Sequence, residues 1–190
     1  MKIKKRVKLS KAEKTPARDM TGGLSDEELQ LLLLTPEVFI TRHPQLIALE
    51  KLLKEIAAQS ELVLPMSMTP DPNVQDLLDR GFVMEGPVQF QIMEKFGCHL
   101  NVAQLWRWRE QAFSSVPDII GCAIGYALDD SDGRFGWRQH SWGVRRSGGI
   151  IETTSSRIKY FGVLMQTWEA DEFAEHCVSL FGKGSEGAGV

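Results

Sequence analysis

The sequence predicts an α+β fold in which helices come first and an antiparallel sheet follows. Apolar residues recur at helical spacing over Pro44–Ser60 and again over Leu100–Gln111. Between Ile119 and Met165 the chain instead carries short apolar or alternating stretches separated by turn residues. This separation of helical and strand patterns along the chain is typical of α+β architecture.

Length and charge allow one compact domain with a basic terminus. The chain has 190 residues, 43% of them hydrophobic and 25% charged, and its net charge of −3 excludes a general attraction to nucleic acid or anionic membrane. The first 18 residues contain eight Lys or Arg and a single acid, Glu13. We therefore predict a basic flexible arm over residues 1–23. Such an arm can touch nucleic acid, lipid or a targeting receptor, but a solvated terminus is the more common outcome.

The sequence also bears on where the protein works. The basic start runs into polar residues rather than an apolar stretch, so no signal peptide is predicted. The apolar run around Leu29–Leu34 is too short to span a membrane. An odd number of cysteines without CxxC spacing argues against a disulfide framework. We expect a soluble cytoplasmic protein, or one exported without a cleaved signal peptide.

Residues 24–88 are predicted to form a helical scaffold or lid. The expected helices run from the N-cap Ser25 to Leu34, over Pro44–Ser60, and over Asp71–Arg80. No residue before Gln89 lies in a pattern that suggests chemistry.

Residues 89–182 are predicted to form the core that carries the site, followed by a flexible tail over 183–190. A helix is expected after Cys98, and Asp129–Gly136 reads as a turn-rich loop. The expected strands are Ile119–Leu128, Trp137–Arg145, Ile150–Thr153 and Tyr160–Met165, before a terminal helix over Glu169–Phe181.

Cys98 lies where a cysteine can become a nucleophile. It follows Gly97 at the start of a predicted helix, where the helix dipole and free N–H groups lower a thiol pKa. The same N–H groups can hold the oxyanion that forms when a thiolate attacks a carbonyl. A single cysteine is more often a small buried apolar residue, which is how we interpret Cys122.

His140 and Glu152 are the expected partners of this thiol. His140 lies in a predicted strand between two tryptophans, and Glu152 lies in the next strand after a Gly-Gly turn. Pairing of these strands brings the carboxylate near the imidazole, as in catalytic triads. A register slip of one residue would turn Glu152 to the opposite face.

Five short motifs carry a resemblance: the first four resemble the transglutaminase-like branch of papain-like folds, and with the fifth they resemble a group of poorly characterised bacterial proteins. They are CHLNVA at 98–103, GYAL at 125–128, HSW at 140–142, IETT at 151–154 and YFGV at 160–163. The resemblance covers about 89–165. It departs from the family in having Glu152 in place of an Asp, and in lacking the proline that commonly follows the acid.

This resemblance implies a cysteine-dependent hydrolase or acyltransferase with a Cys98–His140–Glu152 triad and a thioester intermediate. It implies a glutamine before the cysteine as oxyanion donor, with Gln91 preferred over Gln89. Water as second nucleophile would make the protein a thiol protease, amidase or glutamine deamidase, and an amine would make it a transglutaminase. We expect a protein or peptide substrate, which His99 and Trp142 would help to bind.

Other interpretations stay open. The same fold could be an inactive interaction module for a protein partner, or the basic arm could serve a nucleic-acid accessory role. The Trp-Arg alternation at 106–109 can indicate nucleic-acid stacking, but on a helix Trp106 is expected to pack inward. No cofactor is implied, and the Cys and His residues lack the paired spacing of zinc ligands. The oligomeric state is not predicted.

Overall fold

The structure, a computed structural model, describes residues 44–64, 74–95, 97–110, 118–131 and 133–181. The predicted basic arm, the Ser25–Leu34 helix and the tail lie outside the described residues. The helices are α1 (Pro44–Ile56), α2 (Val74–Arg80), α3 (Cys98–Trp108) and α4 (Thr167–Phe181). The strands are β1 (Glu61–Val63), β2 (Phe82–Met84), β3 (Val88–Phe90), β4 (Ile119–Ser131), β5 (Arg134–Arg145), β6 (Ile150–Glu152) and β7 (Lys159–Leu164).

One open, mostly antiparallel sheet contains all seven described strands. Its order is β2-β7-β4-β5-β6-β3, and β1 pairs in parallel with β5. The long β4–β5 hairpin forms the centre, with β7 antiparallel to β4 and β6 antiparallel to β5. Helices and an open sheet in one unit confirm the predicted α+β class.

Helices α3 and α4 pack against each other and against the central strands. Their shared core combines apolar residues of both helices with Cys122 of β4 and Ile151 of β6. Trp106 is buried there, and its indole N–H donates to Asp171 at 2.7 Å. The expectation that Trp106 packs inward is confirmed. None of the described helices is long and apolar enough to cross a membrane.

The segment predicted as a helical scaffold also contributes β1 and β2 to this sheet, and β3 begins at its last residue, which sequence patterns did not indicate. β1, β2 and β3 have three residues each, too few to show an alternating pattern. Their backbone groups pair with β5, β7 and β6 respectively, so tertiary pairing defines them. Helix α1 also ends at Ile56, four residues before the predicted end at Ser60.

The predicted loop over Asp129–Gly136 is wrong, because β4 and β5 continue through it to a tight turn. Gly133 has φ 72°, which suits such a turn. Asp129 is buried within the extended strand, and its carboxylate accepts hydrogen bonds from Arg138 and Arg157. The polar sequence suggested a loop, but these two guanidinium groups allow the acid to lie inside the sheet.

Two glycines allow the central strands to approach where the largest side chains lie. A Cβ at Gly125 would lie 2.3 Å from the Phe161 carbonyl oxygen, and one at Gly162 would lie 2.7 Å from the ring of Trp142. Any larger residue at Gly162 would collide with the buried indole. These glycines belong to the GYAL and YFGV motifs, so a packing requirement accounts for both.

Candidate active site

Cys98 is the first residue of α3 and is partly buried. The N-cap is Gly97, which has no side chain to cap the helix, and its carbonyl accepts the first helical bond from Asn101 N–H at 2.8 Å. The amides of the first turn therefore have no intrahelical partner and favour negative charge nearby. Helix α3 begins at Cys98, two residues before the apolar pattern that starts at Leu100, so Cys98 itself is part of the helix.

The start of α3 lies against a part of β5 that pairs with none of the described strands along one of its two edges. On this edge β1 pairs with Gly136–Arg138 and β6 pairs with Gly143 and Val144. Among the described strands, none pairs there with the residues between, which include His140 and Ser141. The Cys98 thiol interacts at this interval with the His140 ring and with the backbone of Ser141.

His140 occupies the middle of β5, with only 1% of its surface exposed. Its ring stacks on Trp142 at 6.1 Å between centroids and lies 6.4 Å from the ring of Tyr160. Its Nε2 lies 2.9 Å from Glu152 Oε2. Because Nε2 is taken by Glu152, Nδ1 is the ring nitrogen that remains for the interaction with the Cys98 thiol.

Glu152, the last residue of β6, is completely buried in a set of hydrogen-bond donors. Its Oε1 accepts from the backbone N–H of Thr153 and of Thr154, both at 2.9 Å, and from the Thr154 hydroxyl at 3.0 Å. Its Oε2 accepts from the Tyr160 hydroxyl at 2.9 Å. These donors replace the water that the carboxylate loses and fix its direction toward His140.

The register of the β5–β6 turn decides this geometry. Val144 pairs with Ile150, which puts Glu152 and His140 on one face of the sheet. The turn is made by Gly148 and Gly149, whose φ values of 73° and 118° disfavour other residues. The alternative register, which would turn Glu152 away, is not the one observed.

The electrostatics favour a thiolate–imidazolium pair. Burial raises the pKa of the Cys98 thiol, but the hydrogen bond and charge of His140 and the backbone contacts of Ser141 and His99 outweigh it, so the pKa lies below 9.0. Burial lowers the pKa of His140, but its contacts with Cys98 and Glu152 raise it overall to about 9. Burial likewise raises the pKa of Glu152, whereas His140 and Thr154 together lower it to about 2.

The other two cysteines differ sharply from Cys98. Burial raises the pKa of Cys122 to about 12 and that of Cys177 to about 11. Cys122 is fully enclosed in β4, as expected for a packing residue. Both thiols therefore stay protonated near neutral pH, and Cys98 alone of the three has a lowered pKa.

Sequence reasoning missed two residues that hold the site together. Tyr160 lies in the YFGV motif, but its bond to Glu152 depends on strand order and has no local signal. Asn101 is buried, and its Nδ2 donates to the Glu94 carbonyl at 2.8 Å and lies 3.5 Å from the Thr153 carbonyl. It thereby joins the first turn of α3 to the residue after Glu152. Its place in the CHLNVA motif was the only available clue in the sequence.

A cavity of about 800 Å³ opens beside Cys98 and His140. Gln139 lines it, whereas neither Gln91 nor Gln89 does. Gln91 instead uses its backbone N–H, which donates to the Glu152 carbonyl at 2.8 Å. The prediction of Gln91 or Gln89 as oxyanion donor is therefore not supported by their positions, because β3 and the residues after it serve as an edge strand beside β6.

The two residues expected to bind substrate lie elsewhere. Trp142 is completely buried, with its indole N–H 3.2 Å from the Met84 sulfur, so it cannot touch a substrate directly. His99 is partly buried, its Nδ1 lies 2.5 Å from the Ser141 hydroxyl, and its ring meets Phe173 edge-on. Burial and the charge of His140 lower its pKa to about 4. The position of Trp142 does not support the prediction that it binds substrate, and His99 does not line the cavity.

No family model matches this chain, no curated protein matches it, and no solved structure matches it. The arrangement of Cys98, His140 and Glu152 must therefore be interpreted from its own geometry. Within the described ranges, no cluster of three or more His, Cys, Asp or Glu side chains is arranged to hold a metal ion.

Proposed function

We propose that this chain is a thiol hydrolase or acyltransferase that acts on an amide or ester carbonyl through Cys98, His140 and Glu152. The observation that carries the proposal is that the buried His140 imidazole lies 2.9 Å from the Glu152 carboxylate and also interacts with the Cys98 thiol. The papain-like, transglutaminase-like resemblance of the motifs belongs to the same proposal. The cavity beside the thiol offers space for a substrate side chain.

In the first half-reaction the Cys98 thiolate attacks the carbonyl carbon and forms a C–S bond. The carbonyl π electrons move onto oxygen, where the free amides at the start of α3 stabilise the oxyanion. When this intermediate collapses, the leaving amine or alkoxide takes the Nδ1 proton from the His140 imidazolium. The product is a thioester on Cys98, and His140 is left neutral.

In the second half-reaction a water molecule or an amine attacks the thioester. His140 accepts the proton of this nucleophile, the C–S bond breaks, and the thiolate returns. Water gives a protease, amidase or glutamine deamidase, and an amine gives a transglutaminase.

Glu152 can orient the imidazole despite being longer than the aspartate of the related pattern. Its carboxylate is held by two backbone amides and two hydroxyls, so its extra rotatable bond is immobilised. A fixed carboxylate holds the imidazole tautomer with a proton on Nε2 and stabilises the imidazolium. These contacts support a working triad rather than a degraded one.

Alkylation by iodoacetamide tests this proposal, with mass spectrometry to identify the modified cysteine. We expect Cys98 to react much faster than Cys122 and Cys177 in the native protein, and its rate to fall at least tenfold in His140→Ala, since a thiol with an ordinary pKa is mostly protonated at pH 7. Cys177→Ser is the matched control and should leave the Cys98 rate unchanged. Equal labelling of all three thiols, or an unchanged rate in His140→Ala, would count against an enzyme and favour the interaction module.

A further inference from the structure

We infer that the cavity beside Cys98 binds a carboxylate of the substrate, held by Arg138 and Arg157 next to the carbonyl that Cys98 attacks. This inference rests on the proposed function, whose site it extends. It concerns the part of the cavity that the mechanism does not use. Besides Ile92 and Met93, the lining there includes three basic side chains, one carboxylate and two hydroxyl groups.

The first support is an excess of positive charge. Among the described lining residues outside the proposed triad, Lys95, Arg138 and Arg157 are basic and only Asp129 is acidic. Arg138 Nε lies 3.1 Å and 3.3 Å from the two oxygens of Asp129, and Arg157 Nη1 donates to the same carboxylate. One carboxylate neutralises one guanidinium. Arg138, Arg157 and Asp129 together therefore carry a net charge of one positive unit. Lys95 adds positive charge to the same lining.

The second support is an unsatisfied donor. Arg157 Nε is buried and has no hydrogen-bond partner among the described residues. A buried N–H of a charged group without a partner is costly, so this donor favours an additional acceptor at the site. Arg138 is more exposed, with 44% of its side chain accessible, and so is available to a ligand in the cavity. A carboxylate matches the planar, forked donors of both arginines.

The third support is position relative to the nucleophile. Arg138 and His140 are two residues apart on β5, so their side chains lie on one face of the sheet and their Cα atoms are separated by about 7 Å. Cys98, His140, Arg138 and Arg157 all line the same cavity. A carboxylate bound by the arginines would thus lie a few bonds from the carbonyl under attack. We therefore expect the site to prefer substrates that carry a negative charge close to the carbonyl that Cys98 attacks.

Two small alkylating reagents that differ by one charge test this inference. Iodoacetate and iodoacetamide both react by displacement: the Cys98 sulfur forms a bond to carbon, the C–I bond breaks, and iodide leaves. Both require the same thiolate, so any change in the pKa of Cys98 cancels in the ratio of the two rates. The ratio of iodoacetate to iodoacetamide rates therefore reports the charge of the cavity alone.

We expect this ratio in the native protein to exceed that of a small free thiol such as 2-mercaptoethanol. Arg138→Gln should lower it roughly three- to tenfold, the effect of one partly screened charge at this range. Lys95→Gln, at an exposed position, gives a second measurement if loss of an arginine unfolds the protein. Arg146→Gln is the control, since it removes one positive charge from a side chain that is 75% exposed and does not line the cavity.

The outcomes separate this inference from the proposed function. Fast iodoacetamide labelling with a ratio that is equal in native protein, Arg138→Gln and Lys95→Gln would overturn the carboxylate site and leave the thiol enzyme standing. An equal fall of the ratio in Arg146→Gln would also overturn it, because the effect would then be net charge. If neither reagent labels Cys98, both proposals fail.

The carboxylate could come from an acidic side chain or from a peptide C-terminus, and matched chloroacetyl electrophiles distinguish these sources. Chloroacetyl-glutamate amide against chloroacetyl-glutamine amide probes a side-chain carboxylate. Chloroacetyl-glycine against chloroacetyl-glycinamide probes a terminal one. A faster reaction of the acidic member, lost in Arg138→Gln, supports the inference and assigns the source. Equal rates within both pairs would overturn it.

Discussion

Replacing Glu152 with glutamine should lower the pKa of His140 while leaving the fold intact. The substitution keeps the side-chain volume, and the amide oxygen can still accept from Thr153 N–H, but the full negative charge behind the imidazole is lost. Nε2 and Oε2 are 2.9 Å apart, a charge-assisted hydrogen bond of about 1.5–3 kcal/mol. Since 1.36 kcal/mol corresponds to one pH unit, the pKa of His140 should fall from about 9 by roughly one to two pH units.

Nuclear magnetic resonance titration of the imidazole measures this change directly. The chain has four histidines, and the His140 resonances can be assigned by their disappearance in His140→Gln. Glu50→Gln is a matched control, because it removes a partly exposed carboxylate that forms an ion pair with Lys54 at 2.7 Å on α1. An unchanged His140 pKa in Glu152→Gln would refute the reasoning. An equal fall of the His140 pKa in Glu50→Gln would also refute it, since the effect would then not depend on the hydrogen bond between Glu152 and His140.

Three further predictions concern stability. Tyr160→Phe keeps the ring but removes the hydroxyl that donates to Glu152 at 2.9 Å. The free energy of unfolding in urea should therefore fall by about 1.5–3 kcal/mol. A change under about 0.5 kcal/mol would contradict the importance of this hydrogen bond. The pKa of Glu152 falls on folding from 4.5 to about 2, so its contribution of about 3 kcal/mol is complete above pH 4.5 and lost as the pH falls toward 2. Urea unfolding at several pH values should show this loss in the native protein, and an equal loss in Glu152→Gln would contradict it. Gly162→Ala should lower the free energy of unfolding by about 1–3 kcal/mol, because the new Cβ would lie 2.7 Å from Trp142. Gly97→Ala should lower it less, because its Cβ would lie 3.4 Å from the nearest neighbouring atom. Equal melting temperatures for the two variants would contradict the packing argument.

The parts of the site that sequence patterns predicted are those set by local geometry. Gly97 before an apolar helical pattern indicated that Cys98 lies at a helix start, because helix ends have local signals. The Gly148–Gly149 turn indicated that His140 and Glu152 lie on neighbouring strands, since a tight turn pairs the strands that flank it. The face of Glu152 stayed open until the register was known. Local signals thus predicted the elements, and pairing determined their orientation.

The parts that sequence patterns missed depend on partners far along the chain. Asp129 looks like a loop residue until the pairing of β4 with β7 brings Arg157 beside it. Tyr160 becomes a donor to Glu152 only because β7 and β6 flank the central hairpin on opposite sides. Gln91 was chosen by its position before Cys98, but its backbone N–H donates to Glu152 just after the edge strand β3, and Gln91 does not line the cavity. Such roles follow from tertiary pairing, which a single sequence does not reveal.

The division of the site between α3 and one hairpin has a consequence for biosynthesis. Polypeptides are made from the N-terminus, so Cys98 is synthesised well before His140 and Glu152. Until the hairpin forms and the helix docks on its uncovered edge, the sulfur has the ionisation of an ordinary thiol and little nucleophilic strength. The lowered pKa of Cys98 is therefore a property of the assembled site and is absent from the newly made segment that contains it.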